Sequence, residues 1–172
     1  MFTVELKAEA ATAALTRAAT LMGDMRPVLD SIGEILVRST KVRFGQGKAP
    51  DGTAWAAKSQ TTLERYGSRK SNRVDIRPLF GPSGRLNQDI FHETGADFVE
   101  VGSSRIYAAA MQFGAAKGSF GAYSGVNKNG HAFAGSAPWG NIPARPFLGV
   151  SSEDETNILA EIAEAISDAL GT

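Results

Sequence analysis

Apolar residues recur at helical spacing in three stretches of the chain. From Ala8 to Met22 the sequence is rich in alanine, with Ala11, Ala14, Leu15, Ala18 and Leu21 or Met22 on one face, and Gly23 stands where a helix would stop. Asp24 is placed to cap a second helix with Pro27 in its first turn, and Val28, Leu29, Ile32, Ile35, Leu36 and Ser39 share a face as far as about Phe44. Near the other end, Ser152 to Glu155 reads as a capping box with acids at the positive end of the dipole. A stripe of Ile158, Leu159, Ile162, Ile166 and Leu170 follows. Strand periodicity appears twice. Phe2 to Leu6 alternates apolar and polar residues, and Leu86 to Glu93, Thr94-Gly95-Ala96 and Asp97 to Gly102 read as two strands around a tight turn, the centre of a small sheet.

Other stretches break regular structure. Pro50-Asp51-Gly52 presets a tight turn, and Trp55 just after it is expected to anchor that loop to the domain. Ser59 to Arg65 reads as a short capped helix, and Ser103-Ser104 as the cap of another from Arg105 to about Phe113, ended by Gly114. Residues 67 to 85 form a polar, basic loop that an assembly could order. Residues 114 to 141 carry seven glycines with Phe120, Tyr123, Phe133 and Trp139, without helical period. A run of this length without regular structure predicts a projecting loop or hairpin arm that folds onto a partner. Ile142-Pro143-Ala144-Arg145-Pro146-Phe147-Leu148-Gly149 then forms a rigid strut, because each proline fixes its own φ and restrains the residue before it. The elements together predict an α+β fold in one domain, residues 1 to 172. A small, mostly antiparallel sheet packs against N-terminal and C-terminal helices, and the glycine-rich arm projects from it.

Composition adds a charge asymmetry. The net formal charge is zero, yet residues 38 to 85 hold 11 Lys or Arg against 3 acids, and residues 151 to 172 hold 6 acids and no base. Opposed patches of this kind suit head-to-tail association of identical subunits. There is no cysteine, so disulfides, thiolate metal sites and thiol nucleophiles are excluded. Neither a signal peptide nor a membrane-spanning run is present, and the expectation is a soluble protein made in the cytoplasm.

Little in the chain points to catalysis. His92 and His131 are the only histidines and lie in no metal-ligand spacing, no Gly-x-Ser-x-Gly elbow occurs, and Gly45-Gln-Gly47-Lys48 lacks the spacing and hydroxyl of a phosphate loop. No cofactor, metal or catalytic residue is expected. Arg65, Arg69, Lys70, Arg73 and Arg77, with Tyr66 among them, form a basic stretch that could face a neighbouring subunit or DNA passing through a channel.

Five motifs in order carry a resemblance: Pro50-Asp-Gly-Thr-Ala-Trp55, Ser83-Gly-Arg-Leu86 with Ile90, Val101-Gly-Ser103, Tyr107-Ala-Ala-Ala-Met-Gln-Phe-Gly114, and the strut with its acid-capped helix. Together they resemble the phage virion morphogenesis family, which includes Mu-type morphogenesis and tail-completion proteins. The resemblance implies a non-enzymatic virion protein of the neck or tail end, assembled in the host cytoplasm. It would be a ring-forming homo-oligomer, a hexamer by resemblance, acting in head-tail joining as a tail terminator or as a head-side connector whose basic loop meets the packaged DNA. Its partners would be itself and other neck and tail proteins. The residues expected at subunit interfaces are Pro143, Arg145, Pro146, Phe147, Phe120, Tyr123, Phe133 and Trp139. The strut would position the arm against the final helix, and an arginine held between two prolines would make a charge-assisted contact.

Overall fold

The computed structural model describes residues 9–68, 74–81 and 83–171. The expected strand at Phe2 to Leu6, and the basic residues Arg69, Lys70 and Arg73, lie outside these. The fold is α+β, with helices α1 (Glu9–Gly23), α2 (Arg26–Gln46), α3 (Gln60–Gly67), α4 (Arg85–Gln88), α5 (Ala108–Phe113) and α6 (Ser152–Leu170). The strands are β1 (Ile90–Thr94), β2 (Val99–Ser103), β3 (Ala122–Val126) and β4 (Ala132–Ser136). They form two separate two-stranded antiparallel sheets, β1-β2 and β3-β4. Among the described residues the β1-β2 hairpin pairs with no further strand. The chain divides into two compact units.

The first unit gathers the chain up to Arg38, His92–Val101 and the chain from Ser152 onward. Here α1 packs along α6. Arg17 of α1 donates from Nε to the Ala169 carbonyl at 2.8 Å and from Nη2 to the Leu170 carbonyl at 3.3 Å, satisfying orphan acceptors at the negative end of α6. At the start of α2, Asp24 accepts from the Arg26 backbone N–H at 3.2 Å, as a capping residue should. Val28 and Ile32 on α2 are buried. Gly33 allows a close approach: a Cβ there would lie 2.4 Å from the His92 ring, whose Nε2 is 2.8 Å from Asp30 Oδ1. Two details of α6 depart from the expected pattern. The helix includes Ser152 rather than starting after it, and the apolar residues Leu159, Ile166 and Leu170 are exposed.

The second unit comprises Ser39–Phe91 and Gly102–Ser151. Its core is an aromatic cluster around Phe44, which is fully buried. The rings of Trp55, Phe80 and Phe147 lie at centroid distances of 5.6, 6.1 and 5.4 Å from it, the first two edge-on. Such tilted and T-shaped arrangements set the positive edge of one ring against the negative face of another. Ala49, Leu79, Leu86, Ile90 and Ala108 complete the buried set. The Pro50-Asp51-Gly52 turn closes as expected: Gly52 has φ +84° and donates to the Ala49 carbonyl at 2.9 Å, and Asp51 accepts from the Thr53 N–H at 2.8 Å. Ser59 caps α3 by accepting from the Thr62 N–H at 3.3 Å.

Two local expectations change. Residues 85–88, read as the start of a strand, form the single-turn helix α4, entered through Gly84 at φ +62°. Residues 105–107 precede α5 as turn and coil, so that helix is shorter than expected at its N-terminus. The glycine-rich run contains a regular hairpin with Ala122 opposite Ser136 and Val126 opposite Ala132. Asn127 organises its turn, its Oδ1 accepting from the N–H groups of Asn129 and His131 at 2.9 and 3.0 Å.

Candidate functional site

The residues singled out by sequence fall in the second unit, at the strut and at the β3-β4 hairpin that precedes it. At the base of the hairpin segment, Ala115 and Ile142 exchange both backbone hydrogen bonds, at 2.9 and 2.8 Å, so the run leaves and re-enters the unit at one place. Gly114, with φ +76°, makes this close approach possible. A Cβ there would lie 2.8 Å from the Ile142 carbonyl oxygen and 2.9 Å from the Ala144 nitrogen.

Four side chains hold the strut's backbone. Trp55 Nε1 donates to the Pro146 carbonyl at 2.8 Å, confirming its anchoring role. Gln112 Oε1 accepts from the Phe147 and Leu148 N–H groups at 2.8 and 3.0 Å, while its Nε2 donates to the Leu148 carbonyl at 3.1 Å. Arg43 Nη1 donates to the carbonyls of Phe147 and Gly149 at 3.2 and 2.8 Å. Arg145 donates from Nε to the Ala56 carbonyl at 2.6 Å and from Nη2 to the Ala57 carbonyl at 2.8 Å, and its own N–H bonds to the Met111 carbonyl at 2.8 Å. The charge-assisted contact expected of Arg145 is thus made to carbonyls within the chain. Burial pushes the Arg145 guanidinium below the ordinary arginine pKa. Extended backbone with prolines has few ladder partners of its own, so these side chains supply the bonds a sheet would.

Within the expected interface set, Arg145 (6 % exposed) and Phe147 (0 %) are packed inside the unit. Pro143 and Pro146 are exposed, as are Phe120, Tyr123, Phe133 and Trp139. Tyr123 and Phe133 lie on one face of the hairpin with ring centroids 6.5 Å apart. Each stands over a glycine of the opposite strand. A Cβ on Gly135 would lie 2.6 Å from Tyr123, and one on Gly125 would lie 2.8 Å from Phe133. Aromatics laid over cross-strand glycines stiffen a ribbon whose small residues would otherwise pack poorly.

Of the described basic residues, Arg65 lies over the Trp139 ring at 5.1 Å, joining α3 to the end of the hairpin segment. Arg77 is committed locally: its Nε donates to Asp75 Oδ1 at 3.0 Å and its guanidinium stacks 3.6 Å from the Phe80 centroid. Lys58, which sequence reasoning passed over, donates from Nζ to the Asp75 and Phe80 carbonyls and lies over Tyr66. Desolvation is the main cause that lowers the pKa of Lys58. Arg43 and Gln112 were also missed. Arg43 is a cation next to Phe44 at the end of an apolar helical stripe, and that placement was the available signal. Among the described residues no group of three or more His, Asp or Glu could hold a metal ion, and no helix is long and apolar enough to cross a membrane.

A family model described as the phage virion morphogenesis family matches residues 6–167. The putative capsid assembly protein G of Escherichia phage Mu is 29% identical over 136 residues, covering 78% of this chain and 75% of that protein. No solved structure matches.

Proposed function

The chain belongs to the phage virion morphogenesis family, a family of structural and assembly proteins of phage particles, and we propose that it is an oligomeric ring subunit of the neck that acts in head-tail joining. The observation that carries this reading is the pairing of a pinned strut with an exposed hairpin. The strut is held by Arg43, Trp55, Gln112 and Arg145, and next to it β3-β4 leaves both faces open to solvent. An isolated two-stranded ribbon is marginal in water, and it gains stability when a partner covers it. A subunit that offers such a ribbon from a fixed base is built for repeated contact with neighbours of one geometry. The segregation of basic and acidic segments supports heterologous, head-to-tail contacts, which close into rings. The Mu relative's name refers to capsid assembly, which agrees with a role at the particle rather than in metabolism.

The tail-terminator position is the first reading and a head-side layer the second. Arg65 held over Trp139 favours the second only if that pair faces a channel with DNA in it. We assign the protein no catalysis and no cofactor. Cryo-electron microscopy of the purified chain tests the proposal. Closed rings of one stoichiometry are expected, and a strictly monomeric protein at the concentrations of assembly would overturn it.

A further inference from the structure

The last helix carries an apolar surface that the chain's own pattern does not explain. Leu159, Ala163, Ile166 and Leu170 recur at spacings that place them on one face of α6, and all four are exposed, Leu159 at 67 %. The half-buried Ile158, Ile162, Ala165 and Ala169 recur on an adjoining face, and α1 is the element packed along this helix. Thus α6 has one apolar face in use and another open to solvent. The helix is acidic, with Glu153, Glu155, Glu161, Glu164 and Asp168 and no Lys or Arg; Glu155 adjoins the open stripe, while Glu161, Glu164 and Asp168 fall on the side turned away from it.

The hairpin segment has the opposite character. Residues 114–141 contain Lys117, Lys128 and His131 and no acid. Tyr123 and Phe133, 50 % and 48 % exposed, lie over the cross-strand glycines with their ring planes 60° apart and form an exposed apolar surface. A helix without bases and a ribbon segment without acids are opposite in charge, which favours their approach, and the aliphatic stripe and the aromatic pair supply the apolar contact.

We propose that the Tyr123/Phe133 face of the β3-β4 hairpin in one copy docks on the Leu159-Ile166-Leu170 stripe of α6 in a second copy. The contact is heterologous: the surface each copy gives differs from the one it receives, so it propagates around a ring. Two aromatics bury roughly 150–250 Å² each, well short of the roughly 1,200 Å² of a stable interface. The pairing therefore acts as one contact within a larger ring interface, and it rests on the ring reading above.

The absence of cysteine makes the test direct. Full-length Tyr123→Cys and Leu159→Cys chains, carrying tags of different size, are mixed under assembly conditions and treated with a short bis-maleimide. Both positions are exposed, so the substitutions leave the fold intact, which circular dichroism checks. The expected product is a mixed-tag dimer, formed in several-fold higher yield than with exposed Thr53→Cys in place of Tyr123→Cys. Adding Lys117→Glu and Lys128→Glu to the Tyr123→Cys chain should reduce that yield, most strongly at low salt. Assembly at normal mass with crosslinking only at the Thr53 level would overturn the hairpin-helix pairing while leaving the ring, and would mean that another segment or partner covers α6. Failure of the unsubstituted chain to assemble at all would overturn the pairing together with the ring, and its mass, read beside the crosslink yield, separates the two outcomes.

Discussion

At the scale of single residues, the strut is a network of backbone hydrogen bonds completed by side chains, and Arg145 is its most exacting member. Its planar fork reaches two successive carbonyls, Ala56 and Ala57, which a single ammonium on a flexible stem cannot match. Arg145→Ala should destabilise the protein by about 2 kcal/mol, the scale of losing charge-assisted hydrogen bonds in a mostly buried site, and Arg145→Lys should recover only part of that. Urea denaturation midpoints check both, and a midpoint unchanged in Arg145→Ala would show the network to be dispensable. The arginine between two prolines was visible in the sequence as a site of constraint. Its partners were not, because they are backbone carbonyls 88 and 89 positions away and a carbonyl has no sequence signature. Gln112 and Arg43 escaped for a similar reason: each looks like an ordinary polar residue on a helix until the strut is laid against it.

At the scale of elements, the long helices were legible because α1, α2 and α6 carry apolar residues at helical spacing, and the Asp24, Ser59 and Pro50-Asp51-Gly52 signals act through local chemistry alone. The departures occur where short segments carry ambiguous patterns. Leu86 to Glu93 reads as one strand in the sequence, but Gly84 in the left-handed region starts a helical turn and Asp89 ends it. Strands β3 and β4 are made largely of Ala, Gly and Ser, residues with weak strand preference, so only their aromatics hinted at a hairpin. Whether two hairpins join into one sheet depends on non-local pairing, which leaves no periodic trace.

Asp89 shows how one such junction is secured. Its carboxylate accepts from Ser104 Oγ at 2.8 Å, Ser104 N–H at 3.0 Å and Ser103 Oγ at 3.2 Å, with Arg105 Nη2 at 3.2 Å. The Ser104 hydroxyl is the first cause that holds its pKa below the ordinary 3.8, and the Arg105 charge adds to it. A group whose folded pKa is depressed contributes stability above its unfolded value, and that contribution is lost as pH falls through the folded one. Thermal melts should therefore show an Asp89 contribution that is complete at neutral pH and fades below about pH 4, and that is missing in Asp89→Asn. An identical acid limb in wild type and Asp89→Asn would contradict this.

At the scale of the whole molecule, membership in the phage virion morphogenesis family makes the chain a structural or assembly protein of a phage particle, and its surface chemistry supplies the rest of the account. Exposed aromatics on a ribbon without acids, and exposed aliphatics on a helix without bases, are features that a lone subunit has no use for. In the proposed ring, repeated head-to-tail contact would give each of them a partner. The central claim is that the segment carrying β3-β4 joins copies of the chain and is not needed to fold one. Because Ala115 and Ile142 are paired through two backbone hydrogen bonds, residues 116–141 can be replaced by a two-residue Asn-Gly turn that closes the ribbon at its base. Light-scattering mass is then measured for the full chain and for the shortened one, with thermal unfolding as the check on folding. The account predicts a closed multiple of the 18.1 kDa subunit for the full chain and a cooperatively folded monomer for the shortened one. A shortened chain that assembles to the same number of subunits as the full chain would contradict it.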